Sequence, residues 1–184
     1  MRKRRWFSAL IFVIPAVLAV ATIAVAGDGG KRNFKAEALN GYQEIPALST
    51  PAAGTFEASL NGAGDEISYT LTYSGLEAPV TQAHVHFGQR GVSGGVSFYL
   101  CTNVGGPAGT QPCPPSPATV SGTITAADVV GPAAQGIAPA EFDEIVRAIR
   151  AGVAYANVHS TKYPVGEIRA QINDRNQRGD NGDD

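Results

Sequence analysis

Residues Glu66-Ile67-Ser68-Tyr69-Thr70-Leu71-Thr72-Tyr73 alternate between apolar and polar side chains. In an extended chain successive side chains leave on opposite faces, so Ile67, Tyr69, Leu71 and Tyr73 share one face while Ser68, Thr70 and Thr72 share the other. One face suits a core and the other suits water, the pattern of an antiparallel sheet. Immediately upstream, Asn61-Gly62-Ala63-Gly64-Asp65 offers residues that tolerate positive φ, so this strand is expected to form a hairpin with Gly54–Leu60.

Working outward, the same period predicts further strands over Phe34–Leu39, Thr81–Phe87, Val96–Cys101, Thr119–Thr125, Val153–His159 and Glu167–Ile172. Gly, Pro and Asn punctuate the intervals between them. Pro139–Arg150 departs from the pattern, with Phe142, Ile145, Val146 and Ile149 at helical spacing. Glu141, Asp143 and Glu144 open this segment and Arg147 and Arg150 close it, which matches the helix dipole, and Gly152 is placed to cap it. No internal repeat is visible. The expectation is an all-β, Greek-key antiparallel β sandwich or barrel of about eight strands with one short amphipathic helix.

The termini read differently. Arg2, Lys3, Arg4 and Arg5 precede an uncharged run from Trp6 to Ala26 that ends in Ala24-Val25-Ala26. That is the form of a secretory signal peptide, and its apolar run is also long enough to serve as an N-terminal membrane anchor. The organisation expected is therefore 1–26 export segment or anchor, 27–33 Gly-rich linker, 34–173 β domain and 174–184 polar, disordered tail. The domain is expected outside the cytoplasm, secreted or tethered, touching a membrane only through residues 6–26. With a net charge of −2 there is no electrostatic footprint for nucleic acid.

Cys101 and Cys113 are the only cysteines and bracket a Gly- and Pro-rich stretch. In an oxidising compartment they are expected to form a disulfide, worth about 3 kcal/mol for a loop of this size. Two thiolate metal ligands would be the alternative, but partner ligands are not found nearby in the sequence.

The histidines carry the chemistry. His84 and His86, in Gln82-Ala83-His84-Val85-His86-Phe87-Gly88, fall on one strand face roughly 6–7 Å apart along the chain. His159 ends the strand Tyr155-Ala156-Asn157-Val158-His159. If the two strands are neighbours, three neutral nitrogens can converge on copper or zinc, with an open position for redox or hydrolytic chemistry. The same rings can equally serve as hydrogen-bond anchors that pin loops to backbone carbonyls. Asn157 and Glu167 are candidate supports for such ligands, and Glu167 and Arg169 share a strand face where they can pair or bind the loop beneath His159. No Gly-x-Ser-x-Gly elbow supports a serine nucleophile. Gly88, Gly91, Gly94 and Gly95 are followed by no predicted helix, so they read as a sharp turn beside His86 and not as a phosphate cradle.

Ala83-His84-Val85-His86-Phe87-Gly88, then Gly94-Gly95 leading to Phe98-Tyr99-Leu100-Cys101, then Gly152 through Ser160, and finally Pro164, Gly166-Glu167-Ile168-Arg169 and Gln171 resemble the signature segments of the CHRD (chordin) domain family. The resemblance covers Phe34 to Ile172 and departs from the family at Ala170, where glycine is usual. It implies an extracellular β domain acting as a non-catalytic binding or envelope-associated module, with a partner it does not identify. His84-Val85-His86 followed by Phe87-Gly88 is also similar to the copper-ligand strand of copper-zinc superoxide dismutases, but the chain lacks a histidine to bridge two metals.

Overall fold

The computed structural model describes residues 32–172. The expected export segment, most of the linker and the polar tail lie outside the described residues. Within them, the alternating segment forms β3, Ile67–Ser74, with Ile67, Tyr69, Leu71 and Tyr73 buried. It pairs with β2, Ala53–Leu60, in a register that puts Phe56 opposite Leu71. Between them the Asn61 side chain accepts from the Gly64 and Asp65 N–H groups and closes the turn. β1, Asn33–Asn40, lies on the other side of β2. Arg32 and Asn33, expected in the linker, join the sheet: Asn33 opens β1, and the Arg32 guanidinium donates to the Asn61 and Gly62 carbonyls of the hairpin.

The remaining strands are β4, Val80–Phe87, β5, Gly95–Thr102, β6, Ala118–Ile124, β7, Ala154–Ser160, and β8, Ile168–Gln171. All pairings are antiparallel, and the order across the sheet is β5-β4-β7-β8-β1-β2-β3-β6. The connections from β3 to β4 and from β6 to β7 pass between strands that are not neighbours, which makes the arrangement Greek-key.

The eight strands curl into a nearly closed barrel, and side chains bridge the remaining seam between β5 and β6. The Tyr69 hydroxyl donates to the Leu100 carbonyl of β5 at 2.7 Å, and the Gln111 amide donates to the Ser121 carbonyl of β6 at 3.0 Å and to the Tyr69 oxygen at 2.8 Å. The Cys101–Cys113 disulfide holds Gln111 in that position by tying its loop to β5. The loop is thereby fixed across the seam between the two edge strands, β5 and β6, where it shields edge groups from pairing with other chains.

The interior is filled by the inward faces, among them Phe34, Phe56, Leu71, Phe98, Val120 and Ile168. The helix α1, Phe142–Arg150, adds Phe142, Ile145 and Ile149 to the same core. It begins three residues later than the sequence predicts. Ala140 takes a φ of 69°, which no helix accommodates, and the Glu141 carboxylate turns back to accept from the Ala138 N–H. Its end is as expected: Gly152 N–H donates to Ile149 O and Val153 N–H to Ala148 O, the paired bonds of a Schellman cap.

Candidate metal centre

Strand periodicity sends Ala83 and Val85 of β4 into the barrel and His84 and His86 out of it. In β7 Ala154, Ala156 and Val158 face inward, leaving Tyr155, Asn157 and His159 on the outer face. The β4–β7 register sets Asn157 opposite His84, Tyr155 opposite His86 and His159 opposite Gln82. His159 is thus the diagonal neighbour of His84. The two segments, distant in sequence, meet, and the three rings have centroid separations of 4.9, 5.4 and 6.1 Å.

The outer face here is not wet. His84, His86 and His159 retain 2, 8 and 5 % of their surface exposure. Every residue of β7 and β8 is buried on both faces. Tyr99 of β5 stands edge-to-face against His84 at 4.3 Å, and Tyr155 stacks parallel on His86 at 4.7 Å. The turn after β4 folds over the site through Gly94, whose carbonyl accepts from His86 Nδ1 at 3.0 Å and whose N–H donates to the Tyr155 hydroxyl at 3.0 Å. Only glycine fits there, because a Cβ would lie 1.8 Å from the Phe87 carbonyl oxygen.

Hydrogen bonding assigns the tautomers. A carbonyl only accepts, so the proton of His86 sits on Nδ1 facing Gly94 O, and that of His159 sits on Nδ1 facing Pro164 O at 3.1 Å. Both Nε2 atoms therefore carry lone pairs. His159 Nε2 lies 3.2 Å from His84 Nδ1, which donates to it when no ion is present. The Nε2 atoms of His84 and His86 are buried without a hydrogen-bond partner. One nitrogen from each ring can be chosen so that all lie within 4.8 Å of one another. With the His84 proton moved to Nε2, its Nδ1 lone pair faces the same space.

Burial, reinforced by the neighbouring imidazoles, holds the His84 pKa down to about 2. His86 is lowered to about 4, mainly by burial, with His159 and Arg169 adding to the effect. His159 is lowered by burial as well. All three are neutral donors near pH 7, the form in which imidazole binds metal. The backbone acceptors of His86 and His159 fix the orientation of those two rings in the manner of the outer-shell partners of metal-bound histidines.

A polar layer continues across β7 and β8. Asn157 donates through Nδ2 to Glu44 Oε1 at 2.6 Å and to the Ile168 carbonyl at 2.9 Å. Glu44 lies in the loop after β1, and its carboxyl is raised to about 7, chiefly by burial. Glu167 accepts through Oε1 from the Thr50 hydroxyl and the Glu77 N–H, both at 2.9 Å. Arg169 lies 3.5 Å over the Tyr155 ring and donates to the Gln89 and Val92 carbonyls of the turn after β4. Glu167 and Arg169 thus hold different loops instead of each other or the loop beneath His159.

Sequence reasoning missed Glu44, Tyr99 and Tyr155. Tyr155 had a signal, since it shares the strand face of Asn157 and His159; Glu44 sits in irregular chain with no periodicity to mark it. The acceptors Gly94 O and Pro164 O are backbone atoms, which no residue identity announces.

An antiparallel Greek-key barrel, sealed by a disulfide and carrying a buried imidazole cluster beneath its loops, is a small β module of the kind found in extracellular proteins. The chain belongs to the CHRD domain family, whose model matches residues 36–172. No match was found among curated proteins or among solved structures.

Proposed function

We propose that this protein is an exported CHRD module that binds one copper or zinc ion on His84, His86 and His159. The observation that carries the reading is the convergence of one nitrogen from each of three buried rings within 4.8 Å, with His86 Nε2 unpartnered and the tautomers of His86 and His159 set by backbone carbonyls. Burying an unpaired polar atom costs roughly 1–3 kcal/mol, so a fold that keeps His86 Nε2 unpartnered beside two other imidazoles points to a ligand that satisfies it. Export is supported by the charge and apolar pattern of residues 1–26 and by the disulfide. Among the described residues no helix is long and apolar enough to cross a membrane.

A bound ion would tie β4 to β7. The competing reading is a metal-free binding or envelope-associated module. Elemental analysis of protein purified without an affinity tag separates the two. About one ion per chain is expected, lost in the His84→Ala/His86→Ala/His159→Ala variant. Metal-free protein whose melting temperature ignores added copper and zinc would leave the binding-module reading.

A further inference from the structure

We infer that the three-imidazole site selects a monovalent ion, Cu(I), over the divalent ions Zn(II) and Cu(II); this rests on the metal-binding reading above. The first reason is the charge of the donor set. Among the described residues no carboxylate or thiolate joins the three nitrogens, and both cysteines are committed to the disulfide. Glu167 immediately precedes β8 and donates its N–H to the Val158 carbonyl of β7, next to His159, yet its Oε1 turns to Thr50 and Glu77. Glu44 is tied to Asn157. Nothing anionic in the cluster offsets the charge of an ion.

The second reason is burial. Transferring an ion out of water costs an energy that grows with the square of its charge, so a dication costs about four times as much as a monocation of similar size. With all three rings at 8 % exposure or less, that cost is felt in full.

The third reason is Arg169, itself only 3 % exposed. Its guanidinium lies over Tyr155, and Tyr155 stacks in turn on His86, with the two rings only 1° from parallel. A fixed positive charge therefore sits one phenol ring behind a ligand and repels a dication twice as strongly as a monocation. Coordination number agrees. Zn(II) takes four ligands and Cu(II) a tetragonal set, whereas Cu(I) is satisfied by three nitrogens in a closed site.

The test is competition on the full mature protein with its disulfide intact. Apo protein is titrated anaerobically with Cu(I) against a chromophoric Cu(I) chelator, and separately with Zn(II) and Cu(II). The expected result is one Cu(I) per chain, retained in a hundredfold excess of Zn(II). Arg169→Met should narrow the Cu(I)-over-Zn(II) preference roughly ten- to thirtyfold, as Coulomb's law gives for a unit charge about 8–12 Å away, behind both the Tyr155 and His86 rings, at an effective dielectric of about 20. Arg169→Lys, which keeps the charge, should restore it. Zn(II) displacing Cu(I), or a preference unchanged in folded Arg169→Met protein, overturns the selectivity while leaving a metal site in place. Binding of none of the three ions overturns both proposals.

Discussion

His84 Nδ1 and His159 Nε2 stand 3.2 Å apart although 75 positions separate the residues. Two nitrogens at about 2.05 Å from one ion stand about 3.3 Å apart at a tetrahedral angle and about 3.6 Å apart at a trigonal one, so the spacing that serves an N–H···N bond is close to that of a shared ion. Loading the site then requires a proton shift on His84 and a closing-in of the third ring, since the three nitrogens lie within 4.8 Å of one another.

A site this preorganised should convert binding into stability. Metal at about 100 times its Kd should stabilise the fold by about 2.7 kcal/mol and raise the melting temperature by roughly 8 °C. A chelator should reverse the shift, and His159→Ala should abolish it; differential scanning calorimetry with and without ion reads all three.

Acid should loosen the apo protein through the same rings. His86 is lowered from 6.5 to about 4, so between those values the unfolded chain binds more protons than the folded one. Stability therefore rises with pH across that window and is lost as pH falls through it, by about 3 kcal/mol for this residue. Urea midpoints from pH 4 to 7 should show the slope, and it should lessen in His86→Gln. An unaltered slope in that variant would contradict the assignment.

Glu44 should act in the opposite direction. Its pKa is raised from 4.5 to about 7, so the folded state holds the extra proton and stability falls as pH rises through that range. Glu44→Gln keeps the shape and can still accept from Asn157, but it does not ionise. The variant should gain about 2–3 kcal/mol relative to wild type between pH 4.5 and 7.5, measured as the difference in urea midpoint. Equal pH profiles for the two proteins would show that Glu44 does not carry the effect.

Gly166 should tolerate no side chain. Its φ is 133°, and a Cβ there would lie 2.7 Å from Asn157 Nδ2 and 2.8 Å from both Glu44 carboxylate oxygens. Gly166→Ala should cost about 3 kcal/mol from backbone strain and displacement of the Glu44–Asn157 pair. Chemical denaturation is the measurement, and a loss below about 1 kcal/mol would mean that the loop moves freely.

The strands were legible because their cause is local. Period-two alternation places Ile67, Tyr69, Leu71 and Tyr73 on one face whatever lies beyond, and all eight expected strands form within a residue or two of their predicted ends. The helix was legible from the spacing of Phe142, Ile145 and Ile149, but its first turn was not, because Ala140 adopts a conformation no residue preference announces. The disulfide followed from the presence of two cysteines close together.

Sequence by itself determined the element types, the inward faces and the alignment of His84 with His86, since each depends only on how successive residues leave an extended chain. Tertiary structure alone decided that β7 lies beside β4, that His159 falls diagonal to His84, and that loops bury what would otherwise be the solvent face. Those outcomes depend on strand order and on backbone carbonyls such as Gly94 O and Pro164 O. Both arise from packing between distant segments, which local periodicity does not encode.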